Sequence, residues 1–214
     1  MTECKCYFEN NNNIVLLDNV SVVGKKGLSI ALGKRDDILK FLNINNITKY
    51  ELEINSINAR KNLLIDIPSD VRVEPGAIIR EGVILKKGAI ILMNAVINQG
   101  AIIGENTMID MGVVVGSNAV IGSNCHVGAN SVIAGVLEPP SASPVKIGDN
   151  VFIGANSVVL EGVSVGNNTI IGAMTLVNKD VPDNSLVIGI PGKIKQIIND
   201  DTRKKCILND ELRK

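Results

Sequence analysis

The sequence predicts a mainly β fold: a parallel β-helix of hexapeptide repeats with a small N-terminal α/β appendage and a C-terminal helix. Three observations predict it. From 73 to 182 the chain counts in sixes, reading VEPGAI, IREGVI, LKKGAI, ILMNAV, INQGAI, IGENTM, IDMGVV, VGSNAV, IGSNCH, VGANSV, IAGVLE, and, after PPSASPVK, IGDNVF, IGANSV, VLEGVS, VGNNTI, IGAMTL, VNKDVP. Every hexad opens with Ile, Val or Leu, and the fifth place is small or β-branched almost throughout, with Leu137 the large exception. Aromatic residues are only 2% of the 214, and Trp is absent. Such a chain cannot fill an ordinary globular core, but it can fill a shaft of stacked aliphatic ladders.

A period of six cannot hold one stripe on a 3.6-residue helix over a hundred residues. It suits a short flat strand and a corner, repeated, which is the pattern of hexapeptide solenoids. Three hexads make one triangular coil, and coils stack at about 4.8 Å, the strand spacing. The first residue of each hexad points inward onto its equivalent eighteen residues away. Gly or Asn at the third and fourth places supplies the permissive corner backbone. Between five and six coils give a prism roughly 27 Å tall at that spacing.

Residues 1–70 fall outside the register and read as the α/β appendage. Short strands are predicted over 14–17, 20–23 and 28–32, separated by Asn, Asp and Gly. The segment KRDDILKFL at 34–42 carries Ile38, Leu39, Phe41 and Leu42 at helical spacing, which predicts a short amphipathic helix. A further strand is predicted over 51–57. The appendage is expected to cover one open end of the solenoid, because a bare end exposes unpaired backbone and stacked aliphatics. The β-helix is placed at 71–190. Within it PPSASPVK, 139–146, carries prolines that cannot pair inside a coil, so a loop must leave the prism at a corner, and a stiff extruded loop suggests binding. Residues 191–214 are predicted to form a helical cap, with Ile194, Ile197 and Ile198 as its apolar edge.

The formal net charge is +0, so nothing points to nucleic acid or an anionic membrane surface. No apolar run approaches the ~20 residues of a membrane span. The polar start MTECKCYFENNNN lacks the pattern of a signal peptide, and a cytoplasmic protein is expected. Cys125 occupies an inward small-residue slot, while Cys4, Cys6 and Cys206 lie near the termini, so the cysteines read as reduced thiols. With one histidine in the chain, no metal site is expected.

The segments LLIDIPSDVRVEPGAIIREGV, NAVINQGAIIGENTMIDMGVVVG, NCHVGANSVIAGVLEPPSASPV and IGANSVVLEGVSVG resemble the tetrahydrodipicolinate N-acetyltransferase family of bacterial lysine and diaminopimelate synthesis. ENTMIDM and AGVLEPPSA are far more specific than the hexad. The resemblance runs from about residue 60 to 198 and implies a left-handed β-helix, a homotrimer with active sites between subunits, and acetyl-CoA as cosubstrate. Left-handedness comes from the resemblance alone and runs against the usual right-handed crossover. The N-terminal domain of that family is longer and differs from residues 1–58 here. Its MMGAVIN and DMN patterns appear as Met93-Asn94-Ala95 and Asp110-Met111-Gly112. These departures touch the acceptor rather than the fold.

Acetyl transfer to an amine needs a base for the attacking nitrogen, donors for the thioester oxyanion and a groove for pantetheine. His126, the chain's one imidazole, closes its hexad and is placed at a corner. In hexapeptide acetyltransferases such a histidine is often the base, though it can also fill a subunit contact. Asp110 in MIDM and Glu161 in LEGV match motifs of the related succinyl-transferring family, where the carboxylates handle the substrate amine; each can equally be a solvated surface carboxylate. Counting hexads stacks Gly128 on Asp110, which brings His126 beside Asp110 on the adjacent coil and leaves Glu161 on a different face. A site holding all three must then be shared between subunits. Gly154, Ala155, Gly172 and Ala173 are candidates for the cofactor groove, with Lys179 and Lys193 as point charges for its phosphates. Lys193 lies in GIPGK, which resembles the family's Gly-x-Pro-Ala-Lys/Arg ending. Arg80 is the candidate for a substrate carboxylate.

Two other readings compete. One is an acetyltransferase acting on an amino sugar or another small amine through the same groove. The other is a non-catalytic solenoid scaffold, against which the proline loop and lone histidine argue. Ice binding wants regular threonine arrays, which are absent, and a solenoid carbonic anhydrase needs three histidine ligands.

Overall fold

The computed structural model describes residues 3–10, 14–24, 27–54, 63, 64, 67–136 and 143–197. The chain divides into two compact units, Met1–Arg60 and Lys61–Lys214, ten residues earlier than the boundary expected from the hexads.

The first unit is an antiparallel sheet of β1 (Glu3–Asn10), β2 (Val20–Gly24), β3 (Gly27–Lys34) and β4 (Tyr50–Ile54), in the order β2-β3-β1-β4, with helix α1 (Arg35–Ile44) on it. The helix buries Ile38, Phe41 and Leu42 against Cys6, Phe8, Val20 and Ala31. Phe8 and Phe41 meet edge to face at 5.5 Å, the favoured arrangement of two ring quadrupoles. β1 was not expected. Its alternation of buried Cys4, Cys6 and Phe8 with the outward residues between them is a period-two pattern hidden by charged and cysteine residues. The strand expected at 14–17 is absent: that segment carries no regular structure. β2, β3, α1 and β4 lie close to their predicted positions.

The second unit is a parallel β-solenoid, consistent with the left-handed β-helix that the resemblance implies. Two-residue strands recur along three faces. The first face stacks Arg72–Val73, Ile90–Ile91, Met108–Ile109, His126–Val127, Phe152–Ile153, Ile170–Ile171 and Ser185–Ile188. The second stacks Ile78–Ile79, Val96–Ile97, Val114–Val115, Val132–Ile133, Val158–Val159 and Leu176–Val177; the third runs from Ile84–Leu85 to Ser164–Val165. The hexad explains each strand: its sixth residue faces outward and the next hexad's first residue faces in. From Ile79 to Val177 every described hexad-opening residue is buried, Ile97, Ile109, Val115, Val127 and Ile153 completely. The described fifth-place residues from Ala89 to Val163 are buried beside them.

Corners turn at the fourth place, where the backbone enters the left-handed region, with φ between 54° and 87°, at every hexad from Gly76 to Met174 except the one that runs into the interruption, whose fourth place is Val136. Gly or Asn fills all of these left-handed corners except the last, where Met174 stands at 59°. The proline interruption leaves the count intact: Ile121 pairs with Ile147, twenty-six residues on where eighteen is the rule. The loop ends earlier than expected, since Lys146 is already in a strand and buried Val145 fills the small-residue slot. Residues 137–142, with Leu137, lie outside the described residues.

At the C-terminal end the expected helix gives way to a strand. Lys193–Ile197 runs antiparallel to Ser185–Ile188 and closes the first face. The reason is the open rung left by the last coil: Leu186 and Val187 pair with Ile170 and Ile171 and still offer an edge, which the returning chain satisfies. The rest of the expected cap, from 198 on, lies outside the described residues.

Candidate active site

The first face carries an outward column set by its register: Arg72, Ile90, Met108, His126, Phe152, Ile170, Leu186. His126 therefore stands on a flat face, as the opening residue of its strand, and not at a corner as the hexad count suggested. The hexad's third and fourth places make the turn; its sixth already belongs to the next strand. Asp110 follows Ile109 at the edge where the first face turns to the second, and its successor one coil on is Gly128, because Ile109 pairs with Val127. His126 Nε2 and Asp110 Oδ2 lie 3.9 Å apart, with both side chains about four-fifths buried, 20% and 19% exposed. That distance exceeds a hydrogen bond but lets the carboxylate stabilise an imidazolium across a partly dry gap.

Each partner is anchored. Asp110 Oδ1 accepts a hydrogen bond from the Met111 amide at 2.7 Å, which turns Oδ2 towards the histidine. The imidazole stacks on the ring of Phe152 with centroids 4.8 Å apart and planes 17° from parallel. Phe152 was not picked out from the sequence. The signal was present: His126 and Phe152 both hold the sixth place of hexads that become neighbours once the interruption is looped out.

The small residues considered for the cofactor share this edge. Gly154 and Gly172 continue the line Asp110–Gly128, and Ala129, Ala155 and Ala173 lie beside them. The stack itself explains these glycines, because a Cβ on Gly154 would run into the Ala173 amide nitrogen and one on Gly172 would meet Ile188 at 2.7 Å. Ala155 is half-buried and Ala173 exposed, so the alanines present the accessible strip. Lys193 is exposed and pairs with Ile188 at the foot of the same edge.

The other candidates stand elsewhere. Glu161 is exposed, at the corner between second and third faces. Lys179 is its successor one coil on, through the pairing of Val159 with Val177. Arg80 lies on that corner near the first coil, where Nη1 donates to Asn98 Oδ1 at 3.2 Å. One chain thus brings together Asp110, His126 and the strip leading to Lys193, and keeps Glu161, Lys179 and Arg80 apart from them.

Among the described residues no cluster of His, Cys, Asp and Glu could hold a metal ion, and no helix is long and apolar enough to cross a membrane. Cys125 is fully buried beside His126, its Sγ 3.1 Å from the Gly148 carbonyl oxygen. In the first unit, burial pushes the Cys6 thiol up to about 11 and raises Cys4 as well. Neither is a nucleophile near neutral pH.

Residues 100–135 and 144–179 match the family model described as bacterial transferase hexapeptide (six repeats). The chain is 52% identical over 214 residues to a 2,3,4,5-tetrahydropyridine-2,6-dicarboxylate N-acetyltransferase of Thermoanaerobacter pseudethanolicus, covering 99% of this chain and 89% of that one. It is 43% identical over 215 residues to the protein of that name from Clostridium perfringens, covering 100% and 91%. The likeness therefore extends through residues 1–58, which the motif-based resemblance had set apart. Among solved structures, a histidine-to-asparagine variant of perosamine N-acetyltransferase from Caulobacter crescentus, in complex with CoA and GDP-perosamine, superposes with a TM-score of 0.50 at 34% identity, over 61% of this chain and 55% of that one.

Proposed function

Because the chain belongs to the 2,3,4,5-tetrahydropyridine-2,6-dicarboxylate N-acetyltransferase family of hexapeptide transferases, we propose that it moves the acetyl group of acetyl-CoA onto the amine of tetrahydrodipicolinate in its open 2-amino-6-oxopimelate form, a step towards diaminopimelate and lysine. The observation that carries this reading is whole-length identity with relatives of that name. The structure supplies residues suited to the chemistry. The attacking nitrogen forms a bond to the thioester carbonyl carbon and must lose a proton. His126 takes that proton through a ring nitrogen, and Asp110 stabilises the resulting imidazolium from 3.9 Å. The carbonyl re-forms, the carbon–sulfur bond breaks, and the CoA sulfur leaves as the thiol with the proton returned by His126. The alanine strip from Ala129 to Ala173 accepts the pantetheine arm, with Lys193 at its foot for phosphate.

The working unit is a homotrimer in the cytoplasm with active sites between subunits. Two features support this. The outward column of the second face is wholly apolar, Ile78, Val96, Val114, Val132, Val158 and Leu176, with Ile78 46% and Val114 41% exposed. One edge of that face carries Asp110 and the other Glu161. A head-to-tail ring of three copies covers the apolar face and sets the Glu161 edge of one chain beside the His126 edge of the next. Glu161 then contacts the acceptor amine, and Arg80 meets an acceptor carboxylate. Lys179 joins Lys193 as a charge for the coenzyme phosphates.

An amino-sugar acceptor is the second reading, favoured by the likeness to perosamine N-acetyltransferase. Release of free CoA from acetyl-CoA, followed over a panel of tetrahydrodipicolinate, nucleotide-linked amino sugars and simple amines, separates the two. Turnover with the dicarboxylate alone supports the first reading; turnover with an amino sugar alone overturns it.

A further inference from the structure

We infer that Phe152 is a positioning residue for proton transfer, fixing the plane of the His126 imidazole so that its nitrogen edge faces Asp110 and the reacting amine. The inference rests on the acetyl-transfer reading above. A histidine on a flat sheet face has a broad, poorly determined ring torsion, and a base whose nitrogens swing freely spends little time in line with its proton. Here the register removes that freedom. Phe152 is the direct successor of His126 on the first face, and Met108, 7% exposed, is its direct predecessor. The imidazole lies flat on the phenyl ring at 4.8 Å and 17°, so its faces point along the stack and its edge points sideways. Nε2 is directed at Asp110 Oδ2, whose carboxylate is pinned by the Met111 amide. Turning the ring upright would drive its edge into the phenyl face and carry Nε2 away from the carboxylate. The flat aromatic face also tolerates the charge that appears when the ring takes a proton, which an aliphatic neighbour would not.

The test uses Phe152→Leu, which keeps apolar bulk without a plane, and Phe152→Tyr, which keeps the plane. Phe152→Leu is expected to lower kcat on the order of tenfold with both KM values held within about twofold, the loss of an aligned but not of a bound state. Phe152→Tyr should restore most of the rate. In a His126→Ala background Phe152→Leu should cost nothing further, because it acts only through the imidazole. With one histidine in the chain, the ring protons of His126 form a unique NMR reporter. They should be shifted by the stacked ring in the parent and in Phe152→Tyr, and relax towards unstacked values in Phe152→Leu. A parental kcat in folded Phe152→Leu, an equal loss in both variants, or a loss that adds fully to that of His126→Ala overturns the inference. A parent that releases no CoA with any acceptor overturns the acetyl-transfer reading instead, and the NMR shifts then decide the stack independently.

Discussion

Each of two side chains carries a consequence out of proportion to its size. His126 is the base in the proposed reaction, so His126→Ala should lower kcat by roughly 10²–10⁴, the usual worth of a positioned base. The oligomeric state by size-exclusion chromatography should be unchanged, since the side chain is shared with no backbone pairing. A rise in KM with kcat intact would make His126 a binding group. Met174 carries a different burden. It holds a left-handed backbone at φ 59° where every other left-handed hexad corner uses Gly or Asn, and it is 64% exposed. A side chain that makes no local hydrogen bond costs on the order of 1 kcal/mol in that region, a cost that the short amide of Asn offsets by bonding to nearby backbone. Met174→Asn is therefore expected to stabilise the chain by about 1 kcal/mol, read as a higher denaturant midpoint at unchanged slope.

The rung is the element on which the fold depends. Ile121 is 1% exposed and pairs above with Ile103 and below with Ile147. Ile121→Asp would bury an unpaired carboxylate in the ladder at a cost of about 4 kcal/mol or more, and should melt far below the parent. A parental melting curve would mean that the first hexad place does not face inward. These rungs were legible because one period states both which residue faces in and how far away its neighbour lies. The Asp110–His126 pairing was legible for the same reason. What escaped the sequence lacked that redundancy. β1 alternates cysteine and phenylalanine with charged and polar residues, so that the stretch read only as a polar start. The terminal strand Lys193–Ile197 forms because an edge is open, a tertiary fact that overrides the helical spacing of Ile194, Ile197 and Ile198. Glycines such as Gly154 looked like a cofactor cradle, yet the next coil's approach already requires them.

At the scale of the molecule, a single chain holds half of the proposed chemistry on each side of its apolar second face. Asp110→Asn and Glu161→Gln should each be nearly inactive alone. After subunit exchange, a mixture should regain a measurable fraction of parental CoA release, through interfaces that receive an intact Asp110 from one chain and an intact Glu161 from its neighbour. Confirmed exchange without regained activity would place both carboxylates in one chain's site or outside the site altogether. The interruption near residue 140 bears on a separate question, that of descent. Because Ile121 still pairs with Ile147 across it, the ladder does not register how many residues the detour contains. Length at that one interruption can change without shifting a single rung. A lineage can thus lengthen or shorten this detour while inheriting its shaft unaltered.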